Sequence, residues 1–222
     1  MFAYPYLQLD ANPATYVGPP EESVVTIGPV FTLYALVNSE APKWSKSDLT
    51  DEDRFYISVA IIPDPGYSEQ GPVLGSYDFG GKTFNVTAGG VDYVEMAYGV
   101  PPLDAELKVR VLPDHGVFDT YYREHEFTLE PTGRADLYNS QDDFGGPGPF
   151  LNPEGDLYFQ AFSVDASNLE SGSVLHFDFY TKGSGIDNFA PFSKDVTTPV
   201  PGAVLLGLFG LGVAGVKLRK FA

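Results

Sequence analysis

The side chains best suited to acid–base chemistry or metal binding are three histidines, His115, His125 and His176. His125 opens a His-Glu dipeptide like that of the zinc-protease helix motif, but Leu129 occupies the position of the second histidine ligand. His176 and Asp178 are two residues apart, so on a strand they share one face and form a surface pair with two candidate metal ligands. The alternative to metal binding is a purely structural role, both for that pair and for the Pro-Asp-His-Gly turn around His115.

The acidic stretch at residues 38–53 offers a different chemistry. Asp48, Asp51 and Asp53 carry carboxylate oxygens, which calcium prefers as ligands, although the stretch lacks the central glycine and terminal glutamate of an EF-hand loop. Trp44, the only tryptophan, lies in the same stretch and has a flat ring suited to stacking on a sugar. The alternatives are a solvated acidic loop and a tryptophan buried against the domain.

A second long loop spans residues 139–154 and contains Asp142, Asp143 and a Gly-Pro run. Loops of this length in a compact domain are either functional or disordered. We therefore treat the two long loops, residues 38–53 and 139–154, as the candidate ligand-binding segments.

Motifs for enzymatic catalysis are weak throughout the chain. Residues 210–215 read Gly-Leu-Gly-Val-Ala-Gly, which matches the dinucleotide-binding fingerprint, but they lie inside an uninterrupted apolar run and follow no strand. The sequence has neither a Gly-x-Ser-x-Gly nucleophile elbow nor a phosphate-binding loop. We therefore expect that the protein is not an enzyme.

The composition of the chain limits the classes of partner and cofactor that it could bind. The chain has 13 Lys and Arg against 30 Asp and Glu, a net charge of −17, which excludes general nucleic-acid binding and favours cations. It has no cysteine, so neither a disulfide framework nor a thiolate metal site exists. Calcium is the only cofactor that these features suggest.

The elements that must position these residues are strands, because the apolar residues before residue 199 repeat mostly at every second position. The clearest alternating runs lie at residues 31–37, 55–61, 107–111, 157–159 and 175–179. Clusters of Gly, Pro, Asn and Asp separate the runs. About ten short strands without a sustained amphipathic helix predict an all-β fold, specifically a jelly-roll-like antiparallel β-sandwich.

The last 24 residues differ from everything before them. Residues 200–216 contain no charge and, as a helix, would be about 25 Å long, which is the short limit for crossing a bilayer. Three cations follow, Lys217, Arg219 and Lys220, and they favour a cytoplasmic C-terminus with the rest of the chain outside. The predicted organisation is a β-sandwich domain at residues 1–182, a flexible stalk at 183–198 and a single transmembrane sorting helix within 199–222.

The tail also carries a family resemblance. Residues 198–204 read Thr-Pro-Val-Pro-Gly-Ala-Val, and a Gly- and Leu-rich segment and then Lys-Leu-Arg-Lys follow. This order resembles the PEP-CTERM tail that exosortases of Gram-negative bacteria recognise, with valine in place of the glutamate between the prolines. Phrases in the body, such as His-Gly-Val-Phe-Asp-Thr-Tyr at 115–121 and His-Phe-Asp-Phe-Tyr at 176–180, resemble a choice-of-anchor domain of type N. The resemblance implies a sorting motif made of Pro199, Val200, Pro201, Gly202 and Ala203.

The resemblance implies an exported protein that is held in the inner membrane by its tail and passed to an exosortase. It then reaches the cell surface or the extracellular matrix, where exopolysaccharide is a candidate partner. The residues themselves imply only export and a membrane tail; since the first residues show no signal peptide, we expect an export signal upstream of Met1. The alternative function is that of a carbohydrate-binding module that uses the two long loops, either with or without calcium.

Overall fold

The structure is a computed structural model. It describes residues 6–17, 23–38, 53–62, 66, 74–86, 96–102, 119–129, 133–140, 149–182, 186–190 and 196–197. The regular elements of these stretches are all β-strands. The all-β fold class predicted from the alternation of apolar residues is therefore confirmed for the described part of the chain.

Fourteen strands lie within the described residues. They are β1 (Leu7–Asn12), β2 (Ala14–Val17), β3 (Ser23–Thr26), β4 (Val30–Asn38), β5 (Phe55–Ile62), β6 (Ser76–Phe79), β7 (Lys82–Asn85), β8 (Ala97–Gly99), β9 (Thr120–Phe127), β10 (Arg134–Ala135), β11 (Leu157–Asp165), β12 (Val174–Lys182), β13 (Ile186–Phe189) and β14 (Val196–Thr197).

The described strands form two sheets. Sheet I has the order β1-β4-β11-β6-β7, with β10 paired beside β11. Sheet II has the order β2-β3-β14-β12-β5-β9-β8, with β13 paired beside β12. Among these strands the pairing is antiparallel except between β14 and β3, which run parallel.

One apolar core joins the inner faces of the two sheets. The ring of Phe177 in β12 lies 6.0 Å from Phe31 of β4 and 6.2 Å from Phe79 of β6, so side chains from sheet II contact side chains from sheet I. Leu33 of β4 and Ile57 of β5 are fully buried in the same cluster. Each such side chain contributes about 1.5–3 kcal/mol when it is removed from water. Because the chain has no cysteine, this burial replaces disulfides as the main source of stability.

The strongest alternating runs became strands as predicted. The runs at residues 31–37, 55–61, 157–159 and 175–179 lie in β4, β5, β11 and β12. The run at residues 107–111 lies outside the described residues. The sequence of β12 alternates as if only one face were buried, but both faces are buried, since every residue from 175 to 180 is buried.

Sheet II extends into residues 183–198, where we predicted a flexible stalk. β13 pairs with the last residues of β12, and β14 pairs with His176 and Phe177. Both strands are short, so neither produces a period-two signal in the sequence. They exist because the edge of β12 supplies backbone partners that local patterns cannot reveal.

The predicted transmembrane helix within residues 199–222 lies outside the described residues. Within the part of the chain that the structure describes, no helix is both long enough and apolar enough to span a bilayer.

The turn at Gly155 gives a test of the packing between β10 and the segment before β11. A Cβ at Gly155 would lie 1.9 Å from the carbonyl oxygen of Ala135. Gly155→Ala should therefore push the turn away from β10 and lower the free energy of unfolding by about 1–3 kcal/mol. Gly28→Ala is the matched control, because a Cβ there meets no atom within 4 Å. Urea denaturation measures both, and equal stabilities of the two variants would contradict the close approach.

Candidate functional site

Both long loops are anchored at one end of the domain. β4 ends at Asn38 and β5 begins at Phe55, so these strand ends bracket the acidic loop, and Leu157 at the start of β11 pairs with Asn38. We call this end of the two sheets the loop end. The opposite end, where Val30 of β4 pairs with Asp165 of β11, is called the tail end, because β14 runs toward it in parallel with β3.

Asp53 is the member of the predicted calcium site that the structure describes. It is half-buried and lies just before β5, at the loop end. Burial raises the pKa of the neighbouring Tyr6 hydroxyl, and the negative charge of Asp53 adds to that rise. Asp48, Asp51 and Trp44 lie outside the described residues, so the calcium and sugar sites stay predictions.

A buried polar network holds the start of the second long loop against sheet I. The amide of Ser140 donates to Oε1 of Gln8 at 3.0 Å, and Nε2 of Gln8 donates to the carbonyl of Tyr138 at 3.1 Å. The Tyr138 hydroxyl donates to Oδ2 of Asp10 at 2.5 Å, and Oδ1 of Asp10 accepts the amide of Ala11 at 2.8 Å. Because Gln8 and Asp10 lie on the outer face of β1 and are almost fully buried, the segment before the loop covers this face. The loop therefore begins from a fixed position.

His176 and Asp178 form a close pair on β12. Nε2 of His176 lies 3.4 Å from Oδ1 of Asp178, which confirms that the two residues share a face. Their relative exposures are 6% and 0%, so the prediction of a surface pair is wrong. The pattern was misleading because β12 is buried on both faces from residue 175 to residue 180, so a polar residue at an outward position there is not exposed to water.

Neighbouring strands place more polar groups on this outer face. The cross-strand register puts Ser58 of β5 between Asp178 of β12 and Glu124 of β9. Ser58 is fully buried, and its Oγ has no hydrogen-bond partner among the described residues. Oε2 of Glu124 accepts from the Tyr180 hydroxyl and lies beside Nζ of Lys182, each at 2.5 Å. We call the set the outer-face cluster: Ser58, Glu124, His176, Asp178, Tyr180 and Lys182.

The chemistry of the outer-face cluster favours a structural role. The Glu124 carboxylate accepts from the Tyr180 hydroxyl and forms an ion pair with Lys182, so its oxygens are engaged within the domain. Burial and the hydrogen bond to Glu124 raise the pKa of Tyr180, so that hydroxyl keeps its proton. Lys182 lies 4.6 Å from the ring centroid of Tyr56, a cation–π contact. Ser58 is fully buried, so a substrate in solvent does not reach its hydroxyl.

His125 lies on the opposite, inner face of sheet II. Its ring centroid is 4.5 Å from that of Phe79 and 4.9 Å from that of Phe84. Nε2 of His125 is buried and has no hydrogen-bond partner among the described residues. The segment is a strand, β9, so its His-Glu dipeptide does not lie on a helix as it does in the zinc-protease motif.

The other predicted site residues lie outside the described residues. They are His115, Asp142 and Asp143, the sorting motif Pro199, Val200, Pro201, Gly202 and Ala203, and the cations Lys217, Arg219 and Lys220. Across the stretches that the structure does describe, no group of three or more His, Asp or Glu side chains is placed to hold a metal ion.

Four members of the outer-face cluster, Ser58, Glu124, Tyr180 and Lys182, were not recognised from the sequence. Each occupies an outward position of an alternating strand, and a polar residue there normally indicates exposure to water. These residues could be found only by knowing that β12, β5 and β9 are neighbours in one sheet, and the sequence does not give the strand order.

Protonation of His125 should destabilise the fold. Burial, and then the charges of Arg123 and Lys82, lower its pKa from 6.5 to about 4, while Glu124 opposes the shift. The unfolded chain therefore binds a proton more readily, so the stability is complete above pH 6.5 and falls as the pH drops toward 4. His125→Phe keeps the aromatic contacts without the titration, and its loss of stability over this interval should be smaller by up to about 3 kcal/mol. Urea unfolding at pH 6.5 and 4 measures the difference, and equal losses in the two proteins would contradict it.

The described part of the candidate site thus consists of polar clusters on the outer faces of the two sheets and a loop end at which two long segments are anchored. The buried groups form contacts within the domain, and the strand ends position the loops. Comparison with known proteins supplies no family, because no family model, no curated protein and no solved structure matches the chain.

Proposed function

We propose that this chain is a non-enzymatic, exported surface protein whose β domain lies outside the cell. Residues 199–222 hold it in the inner membrane before it is sorted to the cell surface or extracellular matrix of a Gram-negative bacterium. The uncharged run at residues 200–216 and the three cations after it support the membrane tail. The net charge of −17 supports a soluble, self-repelling exterior that would suit an extracellular setting.

The position of β14 is the observation that carries this proposal. β14 is hydrogen-bonded between β12 and β3, and its last residue, Thr197, is two residues before Pro199. Its parallel pairing with β3 directs the chain toward the tail end, whereas both long loops are anchored at the loop end. A membrane tail that starts at this point would leave the loops facing away from the bilayer.

An exosortase is the proposed sorting partner. Pro199 and Pro201 restrict the residues before them to extended backbone, so the segment ahead of the apolar run would be a non-helical substrate for a membrane enzyme. The cations alone specify orientation and carry no cleavage information. The sorting signal is therefore assigned to residues 199–203.

In a host with an exosortase, we expect the surface form to lack residues 217–222. Replacing Pro199 and Pro201 by alanine should leave uncleaved chain in the membrane, because the extended segment is lost. Pro153→Ala, which changes an exposed proline in the domain, is the matched control and should be processed normally. Mass spectrometry of the C-terminus measures the outcome. An intact basic end on surface protein would make the tail an ordinary anchor.

Calcium-dependent carbohydrate binding at the loop end is a second candidate function. It is favoured by the anchoring of both long loops at the end of the domain opposite to the tail. Asp48, Asp51 and Asp53 would supply oxygen ligands to calcium, and Trp44 would stack on a sugar ring. Exopolysaccharide is the corresponding partner in the matrix.

If the acidic loop binds calcium, saturating calcium should raise the melting temperature, since a ligand that binds only the folded state stabilises it. The combination of Asp51→Asn with Asp53→Asn should abolish the rise, and Asp156→Asn, an exposed acid before β11, should not. A glycan array with and without chelator tests the sugar. Melting temperatures that calcium leaves unchanged, together with no selective glycan binding, would reject this function.

We also propose that the two sheets are wound like a jelly roll. The successive strands β3, β4, β5 and β6 lie in sheets II, I, II and I, so the chain crosses repeatedly between the layers. Repeated crossing of this kind is typical of double-sheet jelly rolls.

A further inference from the structure

We infer that the turn at residues 27–30 contacts a zwitterionic lipid surface when the tail is in the membrane. This inference rests on the proposed membrane tail. Ile27 is 70% exposed and Val30 is 57% exposed, and the two residues flank the short connection between β3 and β4 at the tail end. We call residues 27–30 the apolar tip.

The apolar tip is held in place by hydrogen bonds. The amide of Ile27 donates to the carbonyl of Pro13 at 3.0 Å, and the Thr26 hydroxyl donates to the carbonyl of Gly28 at 3.0 Å. The carbonyl of Pro29 accepts the amide of Ala166 at 2.8 Å, which ties the tip to the segment after β11. The two apolar side chains are therefore exposed on a fixed backbone, so burying them would cost little additional ordering of the chain.

The direction and length of the chain bring the apolar tip close to the tail. Thr197 pairs with Val25 in parallel, so β14 runs in the direction in which β3 continues to Ile27. Ile27 is two residues beyond Val25, a rise of about 7 Å along a strand. Val200, the first residue of the apolar run, is three residues beyond Thr197 and can be at most about 11 Å from it. If that run enters the bilayer, the apolar tip lies at the depth of the lipid headgroups.

The charges at the tail end favour a zwitterionic surface over an anionic one. Asp119, Asp165 and Glu170 lie at this end, the first just before β9 and the other two at and after the end of β11. Their carboxylates would be repelled by anionic lipids at low ionic strength. A phosphatidylcholine surface accepts the apolar side chains without that repulsion, so the expected partner is the interface of a neutral bilayer.

The loop end provides a matched reference. Leu151 is 71% exposed, close to the value for Ile27, and its bridge to Ala135 places it beside the start of β11. It is therefore similarly exposed and apolar, but at the end away from the tail. Because the chain has no cysteine, Ile27→Cys and Leu151→Cys each allow labelling at one defined position.

The test uses the full chain in phosphatidylcholine nanodiscs, with an environment-sensitive fluorophore on either cysteine. At Ile27→Cys the emission should shift to shorter wavelength and be quenched by headgroup-labelled lipid, whereas at Leu151→Cys it should do neither. Adding Val30→Glu to Ile27→Cys should reduce the shift, and including anionic lipid at low salt should reduce it as well.

The other outcomes distinguish the two levels of the proposal. A chain that enters the discs but shows equal emission at both positions overturns the lipid contact and leaves the membrane tail standing. A chain that does not enter the discs overturns both. A shift that depends on protein concentration and not on the lipid quencher would identify a second copy of the chain as the occupant and also overturn the lipid contact.

Discussion

The hydrogen bonding of β14 between β12 and β3 is the constraint on which the arrangement of this protein depends. β12 is the central strand of sheet II, and Phe177 joins it to Phe31 and Phe79 of sheet I through the core. β14 is therefore attached directly to this central strand, and one residue, Thr198, separates it from the first proline of the predicted tail. The parallel pairing with β3 directs β14 toward the tail end of the domain.

Polar groups strengthen this frame where the outer faces are covered. The bonds from Ser140 to Gln8 and from Tyr138 to Asp10 hold a segment over sheet I, and Glu124 collects Tyr180 and Lys182 on sheet II. Gln8, Asp10, Ser140 and Tyr180 are the buried groups among these. Buried polar groups cost stability when they lose a partner, so they specify one packing more strongly than apolar contacts do. The domain thus combines an apolar core with polar contacts on the outer faces of its sheets.

The sequence could predict what depends on local periodicity and little that depends on pairing. Alternation in the runs that became β4, β5, β11 and β12 was sufficient for the all-β class, because a strand with one buried face must repeat every second residue. It could not predict the order of the strands, so the burial of His176 and Asp178 and the meeting of Ser58 with Glu124 were missed. The short strands β13 and β14 were assigned to a stalk for the same reason. Of the candidate calcium ligands, Asp53 lies within the described residues and is half-buried near Tyr6. Asp48 and Asp51 lie outside the described residues, so the calcium site stays a prediction.

The central claim is that the domain faces the bilayer with its tail end and presents its loop end to the outside. Nuclear magnetic resonance of the full chain in phosphatidylcholine nanodiscs doped with a gadolinium-chelating lipid tests this for many backbone amides at once. The account predicts the strongest relaxation enhancement for residues 27, 28 and 30 and for residues 166–172, and the weakest for residues 134–140 and 150–156. Enhancement that is equal at the two ends, or stronger at residues 134–156, would contradict it.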